Sequence, residues 1–214
     1  MARSPSHERF VRSGPKYKEQ PRVLVVCEDE KSVPTYLKEG LTRFRARAEV
    51  ETPKQRDANS VIRYALSKAS SFDQVYCVID GDAIDDLGEL NRTLKNAGAK
   101  GQKITLTISY PCFEFWLLLH FGYTRPVDLR TVGRKTADDR VCELLRTKPG
   151  MQTYDKGKLE KVFERLLPKL SDARTHAQRS VEEGKAEGQM NPSTTLHLLI
   201  TEFERLGKPI PIEA

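Results

Sequence analysis

Long apolar runs are missing from this 214-residue chain. The best candidate, Phe113 to Phe121, is broken by Glu114 and His120, and it falls short of the ~18 consecutive apolar residues a membrane span needs. Between Met1 and Arg12 there are arginines, serines and a proline but no apolar stretch, so no secretory leader is expected and the expected location is cytoplasmic. The four cysteines, Cys27, Cys77, Cys112 and Cys142, are scattered without a Cys-x-x-Cys pair. That spacing excludes the usual zinc and disulfide frameworks, and Cys27 and Cys77 read as small buried hydrophobes. Nor does a Gly-x-Gly-x-x-Gly or Walker loop follow the first strand-like run, which argues against dinucleotide binding and P-loop hydrolysis.

What the chain has in quantity is charge. Charged residues make up 31% and hydrophobic residues 38%, with a net charge of +6, the balance of a non-membrane chain with well-solvated helix faces. Six basic residues against Glu8 and Glu19 put +4 of that +6 within residues 1–22, so the rest of the chain is nearly balanced. Basicity of this kind is compatible with a nucleic-acid partner but is weak support for one.

Residues 1–21 lack periodicity and read as a disordered basic arm. Beyond it, strand-like and helix-like segments alternate. Strands are predicted at 22–28, near Val50, at 74–80 and at Ile104–Ile108, with helices at 33–46, 57–70 and 85–97, the last closed by Gly98 as a C-cap. Such alternation predicts an α/β, Rossmann-like and mainly parallel sheet. From Cys112 the pattern turns helical, at 112–121, 134–147, 156–170, 172–186 and 193–206, with Asn191 capping the final helix and Pro192 in its first turn. The division expected is therefore 22–111 as α/β core and 112–214 as a helical extension packed on it.

Chemistry is indicated where two apolar runs end. Val23-Leu24-Val25-Val26-Cys27 stops at Glu28, and Val75-Tyr76-Cys77-Val78-Ile79 stops at Asp80-Gly81-Asp82. Ligands of open α/β sheets bind outside the carboxyl ends of the strands, so acids from two strands can meet there. Like charges at about 4 Å repel by roughly 1 kcal/mol in water and several-fold more near a protein surface. They take up protons or share a hard cation such as Mg2+. Taken singly, Glu28 is also an ordinary acid before a helix, and Asp-Gly an ordinary turn.

These acids resemble those of a Toprim domain, the metal-binding fold of topoisomerases, primases and OLD-type nucleases. More narrowly, Val25-Val26-Cys27-Glu28, Pro34-Thr35-Tyr36-Leu37, the stretch Pro111-Cys112-Phe113-Glu114-Phe115-Trp116-Leu117-Leu118-Leu119-His120, and Asn191-Pro192-Ser193-Thr194-Thr195-Leu196-His197 resemble the RloB-like proteins of bacterial defence loci, over about residues 22–205. Departures are Asp29 where a glycine is common, Val33 where a glutamate is common, and Gly81 where a basic residue often stands. The resemblance implies a Toprim fold, Mg2+ or Mn2+ held by Glu28, Asp80 and Asp82, and a metal-dependent nuclease acting on RNA, including tRNA, or on DNA. It also implies a role in anti-phage or restriction-linked defence, and a partner ATPase.

Glu114 is then a further ligand or outer partner, or simply a first-turn acid. Lys156, in Tyr154-Asp155-Lys156-Gly157, approaches a phosphate or is a surface lysine. His120 is expected as an imidazolium at a helix carboxyl end, Trp116 to Leu119 as core, and His197 as part of a patch approaching the acids. Two rival readings remain: a noncatalytic Toprim-fold scaffold that binds a partner, and a receiver-like phospho-acceptor module built on Glu28, Asp29 and Asp80. The oligomeric state is left open.

Overall fold

A computed structural model describes residues 17, 19–84, 87–99, 104–125 and 135–209. The arm predicted at 1–21 lies mostly outside the described residues, as do the first positions of the helices predicted at 85 and 134. Five strands form one sheet in the order β2-β1-β3-β4-β5. β1 (Val23–Cys27), β2 (Glu49–Glu51), β3 (Gln74–Asp80) and β4 (Ile104–Tyr110) are parallel, as expected for an α/β chain. β5 (Ser193–Thr194) closes the edge antiparallel to β4.

The side-chain period of two explains how helices cover both faces. Val23, Val25 and Cys27 turn to one face, where α1 (Ser32–Phe44) lays down Val33, Tyr36, Leu37 and Leu41. Leu24 and Val26 turn to the other and meet Val61, Ile62 and Ala65 of α2 (Ala58–Lys68), with Leu90 of α3 (Leu87–Ala99). Because α1 and α2 lie on opposite faces, the chain leaves β1 toward β2 on one side and β3 on the other. The reversal opens a crevice at the carboxyl ends of β1 and β3.

The first core is shared with the second half of the chain. Phe115, Trp116, Leu117 and Leu119 are buried with Val141 and Leu145 of α5 (Ala137–Arg146), Phe163 of α6 (Val162–Leu166), Ala173 and Ala177 of α7 (Leu170–Glu187), and Leu199, Ile200 and Phe203 of α8 (Leu196–Leu206). All four cysteines are buried and unbridged, as was expected for Cys27 and Cys77.

Several expectations are corrected. The stretch predicted as one helix from 112 is a short α4 (Glu114–Leu118) followed by a 3-10 turn, Leu119–Phe121. Residues 156–161 are turns, and helix begins only at Val162. Gly98 lies inside α3 and does not cap it. Asn191 and Pro192 lead into β5 instead of a helix, because Ser109 Oγ pairs with Thr194 Oγ1 at 2.7 Å and Thr195 N–H donates to Ile108 O at 3.0 Å. A helix starting at Ser193 would forfeit those bonds, so α8 begins after Thr195.

Deep in the shared core, Trp116 Nε1–H donates to the Tyr36 hydroxyl at 2.8 Å, and both side chains are buried. Tyr36→Phe leaves that indole N–H with no acceptor, a loss of about 1–3 kcal/mol. Urea unfolding of the variant should show a lower midpoint with an unchanged slope.

Candidate metal centre

Glu28 and Asp80 meet at the crevice. Glu28 N–H donates to Val78 O at 3.0 Å, continuing the β1–β3 ladder, and Asp80 N–H donates to Glu28 Oε2 at 3.0 Å. Asp80 Oδ1 accepts from Phe113 N–H at 2.9 Å, which ties β3 to the start of α4. Each carboxylate thus engages one oxygen and keeps the other without a hydrogen-bond donor among the described residues. Asp82 follows on the 3-10 turn Gly81–Ala83, exposed, with its N–H on Pro111 O at 3.2 Å. Asp29 faces the amino end of α1, where its Oδ2 accepts from Lys31 N–H at 3.0 Å and Val33 N–H at 2.8 Å.

The electrostatics of this edge are adverse to ionised acids. Burial raises Glu28 to about 7, with Asp82, Asp57 and Asp29 adding to the rise against the Asp80 N–H. Burial likewise lifts Asp80 far above the ordinary carboxylate range, helped by Glu114, Glu28 and Asp82 and opposed by Lys156. Glu28 and Asp80 offer oxygen atoms of the kind a hard divalent cation selects, but with Asp82 they do not form a group whose ligand atoms all lie within 4.8 Å of one another.

Beyond Asp80 lies a second, tighter group. Cys112, Glu114 and Asp138 bring their ligand atoms within 4.8 Å of one another. Glu114 is 2% exposed. Its Oε1 accepts from the Tyr154 hydroxyl at 2.8 Å, and its Oε2 lies 3.6 Å from Lys156 Nζ, which also meets Asp138 Oδ2 at 2.5 Å. Burial raises Glu114 despite that ammonium. Burial works against the charge on Lys156, but Glu114 and Asp138 outweigh it and hold the lysine protonated.

The loop that delivers Tyr154 and Lys156 is fixed at several points. Arg146 Nε–H donates to Tyr154 O at 2.9 Å, and Glu39 of α1 accepts from Lys161 N–H and Phe163 N–H at 2.9 and 2.8 Å. Gly157, at φ +71, lies so close to α1's approach that a Cβ there would sit 2.4 Å from Lys31 Cβ. Glycine alone combines that conformation with that proximity.

The structure therefore brings Glu28, Asp80, Glu114 and Lys156 to one edge, with Asp82 on the adjoining turn. Reading the sequence missed Asp138, which looked like any first-turn acid of an amphipathic helix, and Tyr154, whose spacing from Lys156 was the available signal. Ser193 does approach the edge, paired across from Tyr110. His197 does not: it lies in α8 with Nε2 on Gln178 Oε1 at 3.1 Å. His120 is no imidazolium either, since burial lowers it to about 4 and its ring packs edge-on against Trp116 at 4.9 Å. A groove of about 850 Å³ between Val23 and Glu49 lies at the opposite, amino end of β1, away from the acids.

A family model described as RloB-like protein covers residues 23–203, most of the chain. No curated protein matches, and no solved structure matches.

In metal-free buffer, stability should fall as pH rises from about 4.5 to about 7. Over that interval folded Glu28 still holds a proton that the unfolded chain has released, so protons favour the folded state. Thermal unfolding at a series of pH values should show the slope near pH 7 flattened in Glu28→Gln. A wild-type slope in that variant would assign the titration elsewhere.

Proposed function

Because the chain belongs to the RloB-like protein family, we propose that its carboxylate edge is the centre of a metal-dependent nuclease, with Glu28, Asp80 and Asp82 holding Mg2+ or Mn2+. The observation that carries this reading is the joining of Glu28 to Asp80 through the Asp80 N–H, at the crevice between β1 and β3. Acids whose ionised forms are disfavoured chiefly by burial and further by neighbouring acids are stabilised by a cation beside them. A divalent ion there supplies charge neutralisation for a phosphodiester and lowers the pKa of a bound water.

The chain's own groups do the rest. The Phe113 and Asp80 N–H groups fix the carboxylates before substrate arrives, so little reorganisation accompanies binding. Lys156, 39% exposed, carries an ammonium already beside the acids that can turn to a phosphate oxygen as charge builds on it. Glu114, gripped by Tyr154, orients that ammonium or adds a carboxylate to the metal. Phosphodiester hydrolysis of RNA, tRNA or DNA is the reaction proposed, in an effector of anti-phage or restriction-linked defence working with an ATPase. No described helix is long and apolar enough to cross a membrane.

Labelled RNA, tRNA and DNA incubated with the full chain and Mg2+ or Mn2+ test this directly. Asp80→Asn and Asp82→Asn should each lower cleavage by at least about 100-fold, the scale on which one preorganised electrostatic contact acts, while circular dichroism stays native. A chelator should do the same to the wild type. Undiminished cleavage after either treatment rejects the metal mechanism.

A further inference from the structure

We propose that Tyr110 is the stacking platform for an unpaired nucleobase beside the carboxylates, an inference that rests on the nuclease reading and names what the site recognises. Tyr110 ends β4, and in the alternation of that strand it shares a side with Leu106 and Ile104, which pack on the α2 face. One face of its ring lies over Gly81, the residue between Asp80 and Asp82. A Cβ at Gly81 would stand 2.0 Å from Tyr110 Cδ1 and 2.4 Å from Cε1. The missing side chain is what allows an aromatic ring so near the two acids.

Tyr110 also differs from most tyrosines of the chain. Tyr36, Tyr64, Tyr76, Tyr123 and Tyr154 each engage the hydroxyl in a hydrogen bond with another side chain. Tyr110 is only partly buried, and among the described residues its hydroxyl has no partner and its ring no aromatic or cationic neighbour. Its position is nonetheless fixed. Ser193 lies opposite it in β5, and the next residue, Pro111, accepts from Asp82 N–H. A rigid, unpartnered ring next to the carboxylate edge suits a nucleobase, since stacking accepts any base and needs only one π face, here the face turned away from Gly81. A base paired within a duplex offers no such face, so the substrate is single-stranded at the base that stacks.

Short single strands of RNA and of DNA, carrying 2-aminopurine at successive positions, provide the test, with Ca2+ replacing Mg2+ to prevent cleavage. With the wild type, fluorescence should be quenched at one position. Tyr110→Leu should abolish that quenching and weaken binding about ten-fold, the size of one base stack, and Tyr110→Phe should restore both. Mn2+ affinity, read by electron paramagnetic resonance, should be the same in all three proteins. Normal quenching with Tyr110→Leu overturns the inference and leaves the nuclease reading intact. A parallel loss of Mn2+ affinity also overturns it, because the ring would then only buttress the Gly81 turn. If wild type binds neither strand, the inference is overturned, and the nuclease reading is decided separately by cleavage of labelled RNA, tRNA and DNA.

Discussion

Negative charge gathered at the carboxyl edge of the sheet, with little positive charge among the described residues to match it, is the constraint that organises this molecule. Glu28, Asp80, Asp82, Glu114 and Asp138 lie along one rim, and Lys156 meets only the last two. Two buried carboxylates about 4 Å apart repel by about 4 kcal/mol at the effective dielectric of a protein surface. That is a large part of a domain's whole stability. The chain moderates it on one flank with an ammonium and on the other with peptide N–H groups. Burial, reinforced by the neighbouring acids and only partly offset by such dipoles, is why Glu28 and Asp80 retain protons at pH values where exposed acids have lost them.

The arrangement of elements makes that gathering unavoidable. Since β1 is flanked by β2 and β3, with α1 and α2 on opposite faces, residues leaving β1 and β3 emerge side by side. Asp80 then turns to the face where α4 packs and finds Phe113 and Glu114. The loop carrying Lys156 is attached to α1 at Glu39 and Gly157, so the cation that faces Glu114 depends on the helix that follows Glu28. First strand, third strand and second-half loop form one electrostatic unit.

How much of this could be read from residue order follows from range. β1 and β3 announce themselves as apolar runs ending in acids, because a strand buried on both faces has no polar alternation to hide it. Glu28, Asp80 and Asp82 were visible for the same reason. β5 was not, since two residues, Ser193 and Thr194, carry no period and their pairing is decided by hydroxyls on β4. Asp138 was invisible because its partners, Glu114 and Lys156, come from elsewhere in the chain. His120 misled because its place near a helix end suggested a charge that burial forbids, with Lys169 and His176 adding to the effect.

The late arrival of β5 has a bearing on synthesis. Until Ser193 and Thr194 leave the ribosome, the outer side of β4 near Ser109 and Tyr110 is an open edge, the kind of surface to which other chains add strands. Lys156, too, is translated well after the acids it faces. A prematurely terminated product would carry the acids but neither their counter-ion nor the closing strand, and so would be sticky and inert. For a protein proposed to cut nucleic acid, translation itself then acts as the first safety catch.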